Sequence, residues 1–449
     1  MKVFIKTYGC QMNMRDSEAM AGMLAAEGYD IVSHENDADI LLFNTCSVRE
    51  QAEKKAIGKL GFMAKIKKKR PHTIIGVMGC MAQNKKDELL ETVPHLDFVL
   101  GTGQLHKLPE ILKDLQKKRE KLSLTEESAA VLTGMGVHYI DKNTVNPYSA
   151  FIAVTRGCNR FCSYCIVPYV RGREISRTID DVMIEAKELV QNGVKEIMLL
   201  GQNVAAFGLN GDTRPPQEGV SPFADLLYEL NGLDGLERIR FTSPYVSYFN
   251  NKLIKAMADC TKVCHNVHLP LQSGSDRILK AMNRQYTAES YYEKVLAMRE
   301  AIPDITFSTD VIVGFPGETD EDFEATRSLF AKVGYTNGFI FKYSPRKGTK
   351  AAEMPDQIPQ NIKEQRNQIL LALLEEQTNR EISKLSGTIQ EVLVEGPART
   401  DRNQLCGRTS TSWVVNFTPQ PGTKPGDLVR VKIIRPANVT LIGEEVVHA

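Results

Sequence analysis

The stretch FIAVTRGCNRFCSYC, residues 151–165, combines a predicted β-strand with three closely spaced cysteines. FIAVT (151–155) is an apolar run rich in β-forming residues. Cys158, Cys162 and Cys165 follow it with the spacing C-x3-C-x2-C. In a parallel α/β barrel, the loops after the carboxyl ends of the strands form the functional face. The stretch therefore predicts a ligand-binding loop at the mouth of a barrel.

Five further apolar runs continue the series that FIAVT begins, and helical patterns separate them. The runs are EIMLL (196–200), RIRF (238–241), NVHL (266–269), FSTDVIV (307–313) and GFIFKY (338–343). Six βα units of this kind predict an incomplete (β/α)6 barrel of the TIM type.

The segments on either side of the barrel have different textures. The first hundred residues alternate strand runs such as DILLFNT (39–45) and TIIGVMG (73–79) with helical stretches, which predicts a doubly wound parallel sheet. After Gly387, short β-rich runs and turn signals predict a small antiparallel, OB-like β-barrel. The expected divisions are a sheet domain over 1–118, a linker over 119–145, the barrel over 146–376 and the small β-barrel over 377–443.

Composition narrows the class of protein. The chain has 449 residues, of which 42% are hydrophobic and 25% charged, and its formal net charge is +1. No apolar run is long enough to span a membrane, and the first residues do not form a secretory signal, so we expect a cytoplasmic protein. Residues 54–70 and 117–121 are strongly basic. Such runs usually form a solvated helix face, and an anionic partner such as RNA is the alternative.

Three cysteines in one loop are one fewer than a closed thiolate site needs. They fit a [4Fe–4S] cluster in which three irons have protein ligands and the fourth is open to a small molecule. A zinc site completed by a distant histidine, by Cys260 or by Cys264 is the alternative interpretation.

A second set of cysteines is dispersed along the chain but follows a pattern. Cys10, Cys46 and Cys80 each come directly after a predicted strand of the first domain. The carboxyl ends of parallel strands meet at one edge of a sheet, so the three thiols are expected to converge. A second three-ligand cluster is the prediction, and three unrelated buried cysteines are the alternative.

The whole chain resembles the methylthiotransferases of the radical S-adenosylmethionine class. The resemblance rests on several stretches besides the cysteine loop. They are YGCQMN (8–13), NTCSVRE (44–50), MGCMAQ (78–83), PYVRGREISR (168–177), LLGQNVAAFG (199–208), HLPLQSGSDRIL (268–279), DVIVGFPGET (310–319) and YSPRKGT (343–349). The β-rich tail is similar to the RNA-binding TRAM domain of that family.

The resemblance implies an activity and a set of partners. It implies two [4Fe–4S] clusters, S-adenosylmethionine, and addition of a methylthio group to C2 of N6-isopentenyladenosine at position 37 of tRNA. GCQMN and NTCSVRE are typical of the enzymes with this tRNA substrate. The same chemistry on threonylcarbamoyladenosine or on a ribosomal-protein aspartate is the alternative, and a non-catalytic iron–sulfur redox or RNA-binding protein is a third. Further expected partners are a reductase or flavodoxin-type electron donor and an iron–sulfur or sulfur donor, with the protein itself a monomer.

Residues outside the cysteine sets are also candidates for binding. Those expected to contact S-adenosylmethionine follow successive barrel strands: Gln202, Ser243, His268, Gln272 and Gly314. FTSPYVSYF (241–249) departs from the Ser-His-Pro that many family members carry around Ser243. Those expected to contact RNA lie in the tail: Arg402, Arg408 and Lys424.

Overall fold

The structure, a computed structural model, describes residues 1–47, 50–128, 136, 138, 139, 146–209, 211–399 and 401–446. Among these residues no helix is both long and apolar enough to cross a membrane.

The first domain is a six-stranded parallel sheet with strand order β2-β1-β3-β4-β5-β6. Its strands are β1 (Lys2–Thr7), β2 (Asp30–Ile31), β3 (Ile40–Thr45), β4 (Ile74–Gly79), β5 (Phe98–Leu100) and β6 (Leu122–Leu124). Its helices are α1 (Gln11–Ala26), α2 (Glu50–Lys69), α3 (Cys80–Lys85), α4 (Glu88–Thr92) and α5 (Leu108–Lys117). Helices α1 and α5 cover one face, and α2, α3 and α4 cover the other. The predicted doubly wound sheet is confirmed.

The sheet continues past residue 118 into the segment expected to be a linker, because β6 pairs with β5. Residues 129–135, 137 and 140–145 of that segment lie outside the described residues.

The second domain is the expected partial barrel. Its strands are β7 (Ser149–Ala153), β8 (Thr155–Arg156), β9 (Ile175–Ser176), β10 (Glu196–Leu200), β11 (Arg238–Phe241), β12 (Asn266–His268), β13 (Thr306–Val313) and β14 (Asn337–Lys342). Its helices are α6 (Val167–Arg171), α7 (Ile179–Gln191), α8 (Pro222–Asn231), α9 (Asn251–Asp259), α10 (Asp276–Ala281), α11 (Ala288–Ala301), α12 (Asp320–Val333) and α13 (Gln360–Ser383). Capping boxes fix the starts of α7, α11 and α12.

Six strands form the barrel wall as two parallel three-stranded sheets, β7-β10-β11 and β12-β13-β14. A bridge between Ile239 and Val263 joins the two sheets. Paired residues share a face, so His268, Ser308, Asp310 and Phe339 line the interior, which we call the lumen. Alternate residues, such as Phe307 and Val311, pack in the core beneath the outer helices.

The third domain is a closed five-stranded barrel with strand order β15-β16-β17-β19-β18. Its strands are β15 (Ile389–Pro397), β16 (Leu405–Thr409), β17 (Val414–Thr418), β18 (Leu428–Ala437) and β19 (Thr440–Glu445). The sequence predicts an antiparallel barrel, but β17 and β19 pair in parallel. An odd number of strands cannot alternate in direction around a closed ring, so one pair must be parallel. Trp413 and Phe417 are buried inside the barrel.

Two lumen arginines join the small barrel to the amino end of the large one. Arg240 pairs with Glu196 (Nε–Oε2 2.7 Å) and donates to the Thr409 carbonyl (2.8 Å) and the Ser412 hydroxyl (2.8 Å). Arg238 donates to backbone carbonyls of β15 and β16. The small barrel therefore packs against the end of the lumen opposite the cysteine loop.

Arg240→Met is expected to lower the free energy of unfolding by about 3–5 kcal/mol, because Glu196 would remain buried without its partner. Urea denaturation measures the change. The control is Arg327→Met, which breaks an exposed pair with Glu324 and should cost at most about 1 kcal/mol. Equal losses in the two variants would contradict the role of Arg240 at this junction.

Candidate iron–sulfur and cofactor site

The three dispersed cysteines meet at the carboxyl edge of the first sheet. Cys10 caps α1 just after β1, Cys46 follows β3, and Cys80 opens α3 after β4, and these three strands are neighbours. A Cβ placed on Gly9 (φ +131°) would lie 2.7 Å from the Cys46 Cβ, so only glycine allows this approach. Burial raises the pKa of the Cys80 thiol to about 11; Arg171 opposes that shift, and nearby Cys46 and Cys10 add to it.

Two buried amides hold this edge together. Asn13 Nδ2 donates to Asn44 Oδ1 (3.1 Å) and to the Thr45 carbonyl (3.0 Å), while Asn44 Nδ2 donates to the Asn13 carbonyl (2.8 Å). The Cys10 thiol donates to Asn13 Oδ1 (3.4 Å). The first turn of α1 is thereby fixed to the end of β3. Asn13 and Asn44 were not candidates from sequence, although both lie in the motifs YGCQMN and NTCSVRE.

The compact set of cysteines lies in a loop that the β8–β9 pair closes. Gly157 (φ +78°) allows the loop to pass against the Arg173 carbonyl, which a Cβ would approach to 2.1 Å. Burial raises the pKa of the Cys158 thiol to about 11. Burial also raises the pKa of Cys165, and nearby Cys162 and Cys158 add to that shift. These three thiols therefore form a second cluster of neighbours.

Nitrogen donors contact the thiols of this loop. The Arg160 backbone N–H lies 3.5 Å from Cys158 Sγ, and Arg284 Nη1 lies 3.5 Å from Cys162 Sγ. The guanidinium of Arg284 also stacks on Tyr245, 4.3 Å from the ring centroid. Such contacts favour a thiolate over a thiol. Arg284 is more than a hundred residues away in sequence, so nothing in the cysteine motif pointed to it.

The donor sets fit iron–sulfur clusters. All six cysteines carry free thiols, and each set of three lies together in a mainly buried environment. No three His, Cys, Asp or Glu side chains within the described ranges are arranged to hold a single metal ion. A cluster binds each thiolate through a different iron, so its ligands need not meet at one point.

The zinc alternative is wrong in one respect, because Cys260 and Cys264 cannot complete the compact set. Cys260 ends α9, and the backbone N–H of Cys264 bonds the carbonyl of Ile239 ahead of β12. Both therefore lie toward the amino ends of the strands, whereas Cys158 lies beyond their carboxyl ends.

The two sets of cysteines approach the lumen from different domains. Cys10 packs with Met12, Phe151, Ala153, Met198 and Leu200, and four of these five residues come from barrel strands or their ends. Cys80 packs against Ile166 and Val170, which follow Cys165 directly. Helix α6, which begins two residues after Cys165, therefore connects the compact set to Cys80.

A cavity of about 780 Å³ extends from this region toward the small barrel. Gln11 and Met14 of α1, Phe151 and Met198 of the lumen, and Ser412 of the small barrel are among its lining residues. Its size lies within the range for small-molecule pockets, roughly 300–1,000 Å³. Residues of all three domains therefore line one half-open cavity.

The residues expected to contact S-adenosylmethionine lie beyond the carboxyl ends of successive strands. Gln202 follows β10 and is half-buried, and Ser243 follows β11. His268 ends β12, with Nδ1 3.0 Å from Ser308 Oγ and Nε2 3.4 Å from Asp310 Oδ2.

Hydrogen bonds of their backbone N–H groups fix the positions of Gln272 and Gly314. The Gln272 N–H donates to the Asp310 carbonyl (2.8 Å), and the Gly314 N–H donates to Glu318 Oε2 (2.7 Å). Ser243 (φ +59°) and Gln272 (φ +65°) are both left-handed, a strained conformation for residues other than glycine. All five candidates occupy one edge of the barrel.

Two other polar groups near this edge are Asn203 and Glu174. Asn203 Oδ1 accepts from the Tyr245 N–H (2.9 Å), whereas its buried Nδ2 has no hydrogen-bond partner among the described residues. Glu174 also has a buried oxygen without a described partner, and burial raises the pKa of this carboxyl to about 7. Unsatisfied buried groups of this kind are typical of ligand sites.

The three tail residues expected to bind RNA do not form a cluster. Arg408 pairs with Glu395 (2.8 Å), and Arg402 and Lys424 are exposed in separate loops. The described part of the structure shows no contact between any two of these three residues.

Comparisons with known proteins agree with this architecture. Family models match three segments: the uncharacterized protein family UPF0004 at residues 2–101, the radical SAM superfamily at 152–330, and the TRAM domain at 383–446. A radical S-adenosylmethionine methyltransferase, TsrM from Kitasatospora setae, has a similar fold, with a TM-score of 0.59 and 14% identity over 78% of this chain and 74% of its own. The fold and the cysteine loop define a radical S-adenosylmethionine protein.

Curated relatives identify the family within that class. A tRNA-2-methylthio-N(6)-dimethylallyladenosine synthase from Opitutus terrae is 47% identical over 99% of this chain and 97% of its own. Proteins of the same name from Akkermansia muciniphila (98% and 98% covered) and Clostridium botulinum (99% and 96%) are each 44% identical. The chain belongs to the tRNA-2-methylthio-N(6)-dimethylallyladenosine synthase family.

Proposed function

We propose that the protein is a tRNA methylthiotransferase. It adds a methylthio group to C2 of N6-isopentenyladenosine at position 37 of tRNA, using S-adenosylmethionine and [4Fe–4S] clusters. The observation that carries this function is the convergence of two cysteine triplets, from two domains, on one barrel lumen. The names of the relatives agree with it.

We assign one cluster to Cys10, Cys46 and Cys80 and the other to Cys158, Cys162 and Cys165. When bound, these groups and S-adenosylmethionine supply the electron, the radical, the sulfur and the methyl group. The chain contributes three thiolates to each set, which leaves one iron open. Arg160 and Arg284 hold the thiolates of the second set through N–H donors. Phe151 and Met198 form an apolar wall beside Cys10.

We assign the carboxyl edge of the barrel to S-adenosylmethionine. Gln202 and His268 present polar side chains there, and Ser243 and Gln272 have left-handed backbone conformations at the same edge. Gly314 (φ +69°) allows a turn that packs against Lys363, whose Cγ an added Cβ would approach to 2.3 Å. His268 is oriented by Ser308 and Asp310, which fixes the direction of its ring nitrogens.

The substrate assignment is tested on purified tRNA. Anaerobically reconstituted protein is given S-adenosylmethionine, a reductant, and one of three tRNAs carrying adenosine, isopentenyladenosine or threonylcarbamoyladenosine at position 37. Digested nucleosides are then weighed by mass spectrometry. A methylthio product from the isopentenylated tRNA alone supports the proposal. A product from the threonylcarbamoyl tRNA instead would overturn the substrate.

We propose two surfaces for tRNA. One is the small barrel with Arg402, Arg408 and Lys424. The other is the basic face of α2, defined by its exposed residues Lys54, Lys55, Phe62, Lys65, Lys68 and Lys69. No acidic residue lies between 54 and 70, and the exposed Phe62 ring lies 5.1 Å from Lys65 Nζ. A cationic helix with an exposed aromatic ring suits a nucleic-acid backbone.

Replacing Lys65, Lys68 and Lys69 together by alanine is expected to weaken tRNA binding. The slope of log K against log salt concentration should become shallower by about two to three, because each lost phosphate contact removes about 0.7–0.9 from it. Fluorescence anisotropy at several salt concentrations measures this. The matched control replaces Lys117, Lys118 and Lys121, at the end of α5 on the opposite side of the sheet. An equal loss in the control would argue against the basic face of α2.

The remaining partners follow from the chemistry. We propose that a reductase or flavodoxin-type protein supplies electrons, because reductive cleavage of S-adenosylmethionine consumes one. We further propose that an iron–sulfur or sulfur donor replaces the sulfur lost at each turnover, that the protein acts as a monomer, and that the reaction takes place in the cytoplasm.

A further inference from the structure

Arg171 joins the two cysteine sets through a buried guanidinium. It is the last residue of α6, six positions after Cys165, and its exposed fraction is 6%. Its Nη2 donates to Asp16 Oδ2 (2.9 Å) and to Asn13 Oδ1 (3.1 Å), both on α1 of the first domain. The guanidinium is therefore fixed across the boundary between the two domains.

This side chain lies against the auxiliary set, Cys10, Cys46 and Cys80. Asn13 Oδ1 accepts from Arg171 Nη2 and also from the Cys10 thiol, so one oxygen atom connects the guanidinium to Cys10. Cys80 packs on Val170, the residue next to Arg171. Two of the three cysteines thus lie beside one cation.

One donor of Arg171 is unused. Its Nη1 is buried and has no hydrogen-bond partner among the described residues. A buried N–H without an acceptor is costly, and a guanidinium N–H bonds most strongly to an anion. The neighbouring arginine differs in this respect: Arg156 bonds Asp16 Oδ1 (3.2 Å) through Nη1 and the Thr102 carbonyl through Nη2.

We infer that Arg171 is a positioning residue for a small sulfur anion, either hydrosulfide or a thiolate, held at the auxiliary cysteines. Its Nη1 donates to that anion, while Asp16 and Asn13 hold the guanidinium in place. This inference rests on the proposed function, since it requires a cluster on Cys10, Cys46 and Cys80. It assigns to Arg171 a role that the cysteines alone do not provide, which is selection and orientation of the sulfur ligand.

The test measures anion binding rather than turnover. Cys158, Cys162 and Cys165 are first replaced by alanine, so that only the auxiliary cluster contributes to the electron paramagnetic resonance spectrum. The reduced protein is titrated with sodium methanethiolate and, separately, with sodium sulfide. Arg171→Lys is compared with Arg156→Lys, which changes an equally buried arginine on the same Asp16. Iron content of about four per chain shows that each variant is loaded.

We expect Arg171→Lys to weaken binding of either anion at least tenfold and Arg156→Lys to change it less than twofold. Equal losses of anion binding in the two variants would indicate that Arg171 only packs there, and the inference would be overturned. Unchanged anion binding in Arg171→Lys would overturn it as well. If only one anion is affected, that anion is the ligand. Should Arg171→Lys fail to hold iron, a crystal structure of the loaded wild-type protein with methanethiolate decides: sulfur beyond 4 Å from Nη1 refutes the inference.

Failure of this inference is separable from failure of the proposed function. Wild-type protein that methylthiolates tRNA, together with an Arg171→Lys variant that binds both anions normally, leaves the function standing and removes the role of Arg171. If wild-type protein makes no methylthio product but Arg171→Lys still binds the anions more weakly than Arg156→Lys, the proposed function fails and the role of Arg171 stands.

Discussion

Alanine at Cys158, Cys162 or Cys165 is expected to abolish cleavage of S-adenosylmethionine. We assign to the compact set all the protein ligands of the cluster whose open iron binds the cofactor, and two thiolates cannot hold the same centre. Enzymes typically accelerate reactions about 10⁶-fold or more. Loss of the cluster should remove most of that acceleration, so we expect formation of 5′-deoxyadenosine to fall by at least about 10³-fold. Chromatography of anaerobic reactions with dithionite measures the product, and methylthio transfer should disappear with it.

Cys406→Ala is the matched control for these variants. Cys406 is a half-buried cysteine of the small barrel, far from both sets in the fold, and its replacement should leave 5′-deoxyadenosine formation and iron content unchanged. Normal cofactor cleavage by Cys162→Ala would contradict the assignment of this loop to the radical cluster.

Alanine at Cys10, Cys46 or Cys80 is expected to separate the two halves of the reaction. Methylthio transfer should fall to background, because we assign the sulfur-bearing centre to these thiolates. The compact set is untouched in such variants, so 5′-deoxyadenosine should still form. Iron should fall from about eight to about four per chain.

The contrast between the two groups of variants is the informative result. Loss of 5′-deoxyadenosine in Cys46→Ala with four irons retained would mean that the first domain controls the radical step as well. Full methylthio transfer in Cys80→Ala would remove the auxiliary cluster from the account. Thermal denaturation of each variant checks that the fold is intact, because Cys46 and Cys80 are fully buried.

Much of the fold was predictable because parallel α/β units produce a regular alternation of apolar strand runs and helical stretches in the sequence. All six strands of the large barrel and the three cysteine-bearing strands of the first sheet were located from apolar runs. The place of each cysteine, just beyond a strand, then predicted which of them would converge. Their role as cluster ligands stays a prediction.

Other features depend on contacts that local sequence does not encode. β16 gives only a weak strand signal in the sequence, because LCGRT is short and interrupted by glycine and arginine. The contacts of Arg284 with Cys162 and of Arg171 with Asp16 span more than a hundred residues. The pairing of Arg408 with Glu395, both of which line the cavity, also arises from tertiary packing and not from local sequence.

The proposed function requires two three-cysteine centres to act on one carbon of one nucleoside. It is tested most directly by a reaction of wild-type protein with isopentenylated tRNA and S-adenosylmethionine carrying a deuterated methyl group. We expect a methylthio nucleoside that contains the deuterated methyl, with at least one 5′-deoxyadenosine and one S-adenosylhomocysteine formed for each product. Formation of 5′-deoxyadenosine with an unchanged nucleoside mass would contradict it.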